Sequence, residues 1–184
     1  MNNSTEGVRI HAGVISDLLR NYEHSRKGIG APLFALAARL DLTDPTAWVP
    51  MEKYNEMCDW IETKLGPANM KIAGQRIGER VYDAVISSGA VGEDPKPIQM
   101  LEALKHAADT MIEDPLKRGW QILEQTETSI VMRRTQTFNS TLQHGLLTSL
   151  VSKTGVRMPS VKLRQAVAAG AEFDEYEISW VNFN

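Results

Sequence analysis

The four histidines and the single cysteine are the residues most able to bind a metal or act as a nucleophile. The histidines are His11, His24, His106 and His144, and no two have the three- or four-residue spacing that pairs ligands on one helix face. Cys58 lies among apolar residues at helical spacing, which favours a small buried thiol over a nucleophile. Because no catalytic motif is apparent either, we expect no metal site and no enzyme.

A second candidate site is a basic segment in the second half of the chain. Residues 115–164 carry eight Lys and Arg residues against two acidic ones, and Arg133 and Arg134 lie side by side at the end of a predicted strand. An arginine pair of this kind binds an anionic ligand or the acidic surface of a partner. The alternative is a sheet edge that charge protects from unwanted pairing.

The overall composition excludes several classes of protein. The chain has 184 residues, 42% of them hydrophobic, and a net charge of -3, so we expect a globular domain with its own core and no general nucleic-acid binding. No apolar stretch approaches the roughly 20 residues that a membrane span needs. The lone cysteine and the polar start, MNNSTEGVRI, favour a cytoplasmic location.

Residues 1–115 are predicted to be helical. Apolar residues recur at three- and four-residue steps in five segments, with Gly or Pro at the boundaries between them. These segments are 13–24, 31–40, 51–65, 69–88 and 98–112. Gly74 and Gly78 are four residues apart in the fourth segment, a spacing that allows another backbone to approach closely.

Residues 116–184 are predicted to contain a sheet. Strand patterns cover 120–124, 129–134, 160–164 and 176–181, and a helix with Leu142, Leu146 and Leu150 lies between the two pairs. Helices grouped before a β-β-α-β-β segment indicate an α+β fold, in which about five helices pack on a small antiparallel sheet. Since no linker separates the two parts, we expect a single domain over 1–184.

This order of elements resembles the superfamily of haem-nitric-oxide-binding (H-NOX) domains, 4-vinyl-reductase-type ligand-binding domains and TRAPP vesicle-tethering subunits. The resemblance covers most of the chain and is most specific between residues 119 and 181, with GWQI, HGLLTSL and FDEYEISW. It implies a cytoplasmic sensor or adaptor that works as a homodimer or with a protein partner. Relatives often carry cysteines around the glycine before the last strand, whereas Gly170 has none, so a metal or thiol role there is not expected.

The H-NOX resemblance implies a specific haem ligand, and His106 in LEALKHAADTM is the nearest positional match. At about 100° per residue, His106 lies about 140° from Leu101, which marks the apolar stripe, so it should face solvent unless the helix is covered on both sides. The Tyr-x-Ser-x-Arg motif that holds haem propionates in H-NOX domains is also incomplete. The matching region, IVMRRTQTF, contains Arg133 and Arg134 without the preceding Tyr and Ser.

The chain has four tryptophans and eight methionines, and large aromatic and flexible side chains of this kind fill a core more often than they line an apolar pocket or a partner groove. If a cavity lies between the helices and the sheet, it is the expected ligand site. The candidate lining residues are Phe34, Tyr54, Met111, Trp120 and Trp180. Our main interpretation is a non-enzymatic sensory or adaptor domain that binds a small apolar ligand, a protein partner or both. Two alternatives stay open: a haem-based gas sensor that uses His106, and an interaction scaffold with a filled core and no ligand.

Overall fold

The computed structural model describes residues 4–136 and 138–181, which form six α-helices and seven β-strands. The helices are α1 (Ala12–Arg20), α2 (Ala31–Ala37), α3 (Met51–Leu65), α4 (Pro67–Ser87), α5 (Pro97–Met111) and α6 (Ser140–Ser152). The strands are β1 (Arg9–His11), β2 (Trp48–Pro50), β3 (Ile112–Glu113), β4 (Trp120–Gln125), β5 (Ser129–Arg134), β6 (Arg157–Gln165) and β7 (Asp174–Val181). The predicted α+β class is confirmed. In the second half the elements follow one another along the chain as β4, β5, α6, β6 and β7.

The larger sheet has four antiparallel strands in the spatial order β4-β5-β7-β6. Alternate residues of β5 and β7 point into the core, as the paired Ile130 and Ile178, and Met132 and Tyr176, show. Helix α6 follows β5 and packs against this inner face. The sheet and the helices therefore share one hydrophobic core, which includes Leu18, Leu101 and Leu147.

A second, smaller sheet was missed by the sequence patterns. It joins β1, β2 and β3 in the order β2-β1-β3, with both pairs antiparallel. Its strands have two or three residues each, too short for an alternating pattern to appear in the sequence. The pairing of Ile10 with Ile112 ties the start of α1 to the end of α5.

Helices α4 and α6 cross unusually closely because glycines line the contact. A Cβ atom added at Gly74 or Gly145 would lie closer than 3.0 Å to a main-chain carbonyl oxygen of the opposite helix, that of Leu142 or Lys71 respectively. Gly78 faces the carbonyl oxygen of Leu146 in the same way. The close approach predicted from Gly74 and Gly78 is confirmed, and its partner is the α6 backbone.

Candidate functional site

A cavity of about 1310 Å³ lies between α1, α4, α5 and the inner side of β4 and β5. Its lining is mainly apolar and includes Val14 of α1, Val81 of α4 and Ala107 of α5. Ligand pockets for drug-sized molecules typically occupy about 300–1,000 Å³. This cavity therefore has room for a large organic ligand.

Helix α5 presents two different faces. Its buried face contains Met100, Leu101, Leu104 and Ala108, which pack into the core. Leu104 and Ala108 of this face also border the cavity, as do small and polar residues of the more exposed face, among them Ala103, His106, Ala107 and Thr110. His106 is exposed, on the side of the helix that the wheel predicts, and it borders the open cavity. His11, at the start of α1, borders the cavity as well and packs against the Trp48 ring.

Three of the five predicted lining residues border this cavity: Tyr54, Met111 and Trp120. Phe34 lies instead beneath the Arg26 guanidinium group, at 4.8 Å. Trp180 is buried near the opposite end of the sheet from Trp120. Trp120 on β4 is paired with Arg134 on β5, and Arg134 is paired with Asp174 at the start of β7. Trp180 lies six residues further along β7. The two tryptophans are therefore on non-adjacent strands and near opposite ends of the sheet.

Arg133 and Arg134 do not form one basic patch, because neighbouring residues of a strand point to opposite faces. Arg133 lies on the outer face and pairs with Glu175 at 2.6 Å. Arg134 points into the core, is only 3% exposed and borders the cavity. Its guanidinium group lies 4.0 Å from the ring centre of Phe138. Of the two arginines, only Arg134 is placed to meet a ligand in the cavity.

The Arg134 guanidinium has an incomplete set of partners. Among the described residues, Nη2 donates to Gln136 at 2.9 Å, and Nε is buried without a hydrogen-bond acceptor. Asp174 lies opposite Arg134 on β7, but its carboxylate accepts from Ser140 and from the backbone of Val167. Burial consequently lowers the pKa of Arg134 to about 10. The group still carries a positive charge at neutral pH, and its Nε has no acceptor among the described residues.

A chain of buried polar side chains continues from Arg134 away from the cavity. Gln136 donates to Asp114 Oδ2 at 3.1 Å, and Arg118 Nε donates to the same oxygen at 2.8 Å. The side chains of Asp114 and Arg118 are 2% and 5% exposed. Sequence reasoning identified neither Gln136 nor Asp114, because nothing in the local pattern shows that their side chains meet.

This chain of contacts predicts a pH effect. Burial alone would raise the pKa of Asp114, but hydrogen bonds from Arg118, Leu116 and Gln136 outweigh burial and lower it. Since the folded pKa lies below the unfolded value, the stabilisation is present above about pH 4 and disappears as the pH falls through the folded pKa. We expect Asp114→Asn to be less stable than wild type at neutral pH, with the difference shrinking below about pH 4. Urea unfolding at several pH values measures this; a constant difference would contradict it.

The remaining residues considered for chemistry are the cysteine and the possible metal ligands. Cys58 is fully buried, and burial raises the pKa of its thiol well above the ordinary value. Over residues 4–136 and 138–181, no group of three His, Cys, Asp or Glu side chains is placed to hold a metal ion. Within the same residues, no helix combines the length and apolar character needed to cross a membrane.

Comparison with known proteins defines the class of fold. No protein-family profile matches the sequence, and no curated protein does. Solved structures do match, and they show that the chain has the H-NOX fold, as the sequence resemblance predicts.

Two of these structures are H-NOX proteins from different organisms. The protein from S. oneidensis, in its Fe(II)NO ligation state, is 11% identical with a TM-score of 0.68, over 92% of this chain and 99% of that one. The Fe(II) unliganded protein from K. algicida is 12% identical with a TM-score of 0.63, over 95% of this chain and 98% of that one. At such identities the likeness establishes the fold alone.

Proposed function

We propose that this chain is a non-enzymatic sensor domain that binds haem in the cavity between α1, α4, α5 and the sheet. The observation that carries the proposal is that one large, mainly apolar cavity is bordered both by an imidazole, His106, and by a buried cation, Arg134, whose Nε has no acceptor among the described residues. The matching H-NOX structures, with iron in Fe(II) and Fe(II)NO states, support the same choice.

The cavity residues fit the chemical needs of haem. An imidazole nitrogen is a common ligand of haem iron, and His106 is flanked on the cavity side by Ala103 and Ala107, whose short side chains leave room for a flat ring system. Arg134 would pair with a propionate carboxylate, which supplies the acceptor that the guanidinium lacks. When bound, haem supplies an iron atom that takes a gaseous ligand. Val14, Val81 and Met111 would provide apolar contacts to the ring system.

The role of His106 is tested by titrating the protein with haemin. We expect wild type to bind one equivalent with a Soret absorption band, and His106→Ala to bind at least tenfold more weakly with a shifted band, because the axial ligand is lost. His24→Ala is the matched control, since His24 is an exposed histidine in the turn Glu23–Ser25. An unchanged spectrum and affinity in His106→Ala would exclude His106 as the iron ligand.

A second candidate is an apolar carboxylic acid, such as a fatty acid, bound in the same cavity without iron. One feature favours it: Ile130 and Met132, both fully buried and apolar, take the places where the H-NOX resemblance expects Tyr and Ser. This candidate keeps Arg134 as the carboxylate partner and gives His106 no role. Binding of palmitate together with failure to bind haemin would favour it. Signalling through a homodimer or a protein partner stays a prediction for either ligand.

A further inference from the structure

Gln136 lies between the cavity and the polar chain behind it, and its hydrogen bonds fix its orientation. Its carbonyl oxygen accepts from Arg134 Nη2 at 2.9 Å, and its amide nitrogen donates to Asp114 Oδ2 at 3.1 Å. The side chain is buried, with 6% of the residue exposed. If the side-chain amide were reversed, its NH₂ group would face the Arg134 N–H and its carbonyl oxygen would face the Asp114 carboxylate. Only the observed orientation therefore gives both neighbours a hydrogen bond.

The Asp114 carboxylate accepts further hydrogen bonds that fix its position, and it thereby fixes the amide nitrogen of Gln136. Besides the bond from Gln136, its carboxylate accepts from Arg118 Nε at 2.8 Å and from the backbone N–H of Leu116 at 2.9 Å. Arg118 also donates to the carbonyl oxygen of Ser4 at 2.8 Å. This arrangement restricts the side chain of Gln136, and through it one edge of the Arg134 guanidinium.

The charges of this cluster explain why a neutral amide stands beside Arg134. The negative charge of Asp114 is matched by Arg118, with which it forms a buried ion pair. Gln136 adds a hydrogen-bond acceptor without adding a charge, so the positive charge of Arg134 is not cancelled by a carboxylate in direct contact. A glutamate at 136 would cancel it and would occupy the guanidinium donors that an incoming anion needs.

We propose that Gln136 is a positioning residue that holds Arg134 for the carboxylate of the ligand and thereby sets the preference of the cavity for carboxylate-bearing ligands. This inference rests on the proposed function, since it assumes a ligand in the cavity. It adds a determinant of specificity that does not border the cavity itself. The expected effect is therefore on the choice between acid and ester forms of one ligand.

The test compares the affinities of haemin and haemin dimethyl ester, and of palmitate and methyl palmitate, for wild type and variants. We expect wild type to bind the acid of at least one pair about ten- to hundredfold more tightly than its ester, as a charge-assisted hydrogen bond would give. Gln136→Leu should reduce that ratio to about threefold or less and leave the affinity for the ester unchanged. Gln136→Glu, which is nearly isosteric, should abolish the preference as well at pH values where its carboxyl group is ionised, because the carboxylate then pairs with Arg134 and faces Asp114.

The outcomes separate this inference from the proposed function. A wild-type acid-to-ester ratio that persists in both Gln136 variants would overturn the inference and leave ligand binding intact. Equal affinity of wild type for acid and ester would also overturn the inference alone. If wild type bound none of the four probes, the proposed function would fail and the inference with it. Loss of acid and ester binding in equal proportion would show that Gln136 has only a structural role.

Discussion

Replacing Gly145 with alanine is expected to lower the free energy of unfolding by on the order of 3 kcal/mol, although alanine is the better helix former. The added methyl group would lie closer than 3.0 Å to the carbonyl oxygen of Lys71 on α4. Because that atom belongs to the helix backbone, it cannot move aside as a flexible side chain does. The two helices must separate, which loosens the packing around Gly74 and Gly78 as well. Urea unfolding of the ligand-free protein measures the effect.

Gly92→Ala is the matched control for this change. An added Cβ at Gly92 has no neighbour within 4 Å, and the backbone there does not have the positive φ that only glycine adopts easily. We expect its stability to stay within about 0.5 kcal/mol of wild type. Equal stability of Gly145→Ala and wild type would mean that the close crossing of α4 and α6 is not required by the fold.

Replacing Arg134 with methionine is expected to weaken ligand binding by about ten- to hundredfold while leaving the ligand-free protein as stable as wild type or slightly more stable. A guanidinium in a residue that is 3% exposed, with no carboxylate of residues 4–136 and 138–181 in contact with it, costs desolvation free energy. Methionine removes that cost and fills much of the same volume. Weaker ligand binding together with unchanged or higher stability is the result expected when a residue that serves binding at the expense of stability is replaced. Thermal unfolding without ligand and a titration with haemin or palmitate measure the two effects.

Arg133→Met is the control, since it removes the neighbouring arginine from the other face of β5. It breaks the ion pair with Glu175, whose side chain is 5% exposed, and leaves that carboxylate short of a partner. We expect a loss of roughly 1–3 kcal/mol in stability and unchanged ligand affinity. The opposite result, a large loss of stability in Arg134→Met with ligand binding retained, would make Arg134 a structural residue.

Much of the fold was predictable because its main elements carry strong local patterns. The five helical segments and the four strands of the larger sheet follow apolar periodicity and Gly or Pro boundaries. Helix α4 begins at Pro67, two residues earlier than predicted, because proline suits the first turn of a helix. The small sheet was missed because its pairings, such as that of Arg9 with Pro50, join residues distant in sequence over very short strands.

The candidate site was predictable only where the periodicity of a helix or strand shows which side chains share a face. The exposed side of α5 that carries His106 follows from the helical wheel. Alternation along β5 places Arg133 and Arg134 on opposite faces, although the sequence analysis treated them as a pair. The partners of Arg134 could not be found in this way. Gln136 and Asp114 meet through a loop and a turn, where neither helical nor strand periodicity applies. Likewise, Gly145 is an ordinary helix residue until α4 is placed against it.

A native mass spectrum of the freshly purified protein, repeated after incubation with haemin and removal of the excess, tests the central claim most directly. It reports the number of subunits and any retained ligand in one measurement. The account predicts a mass increment of one haem per chain, present on purification or gained after incubation. The mass of the bare chain in both spectra would contradict haem binding.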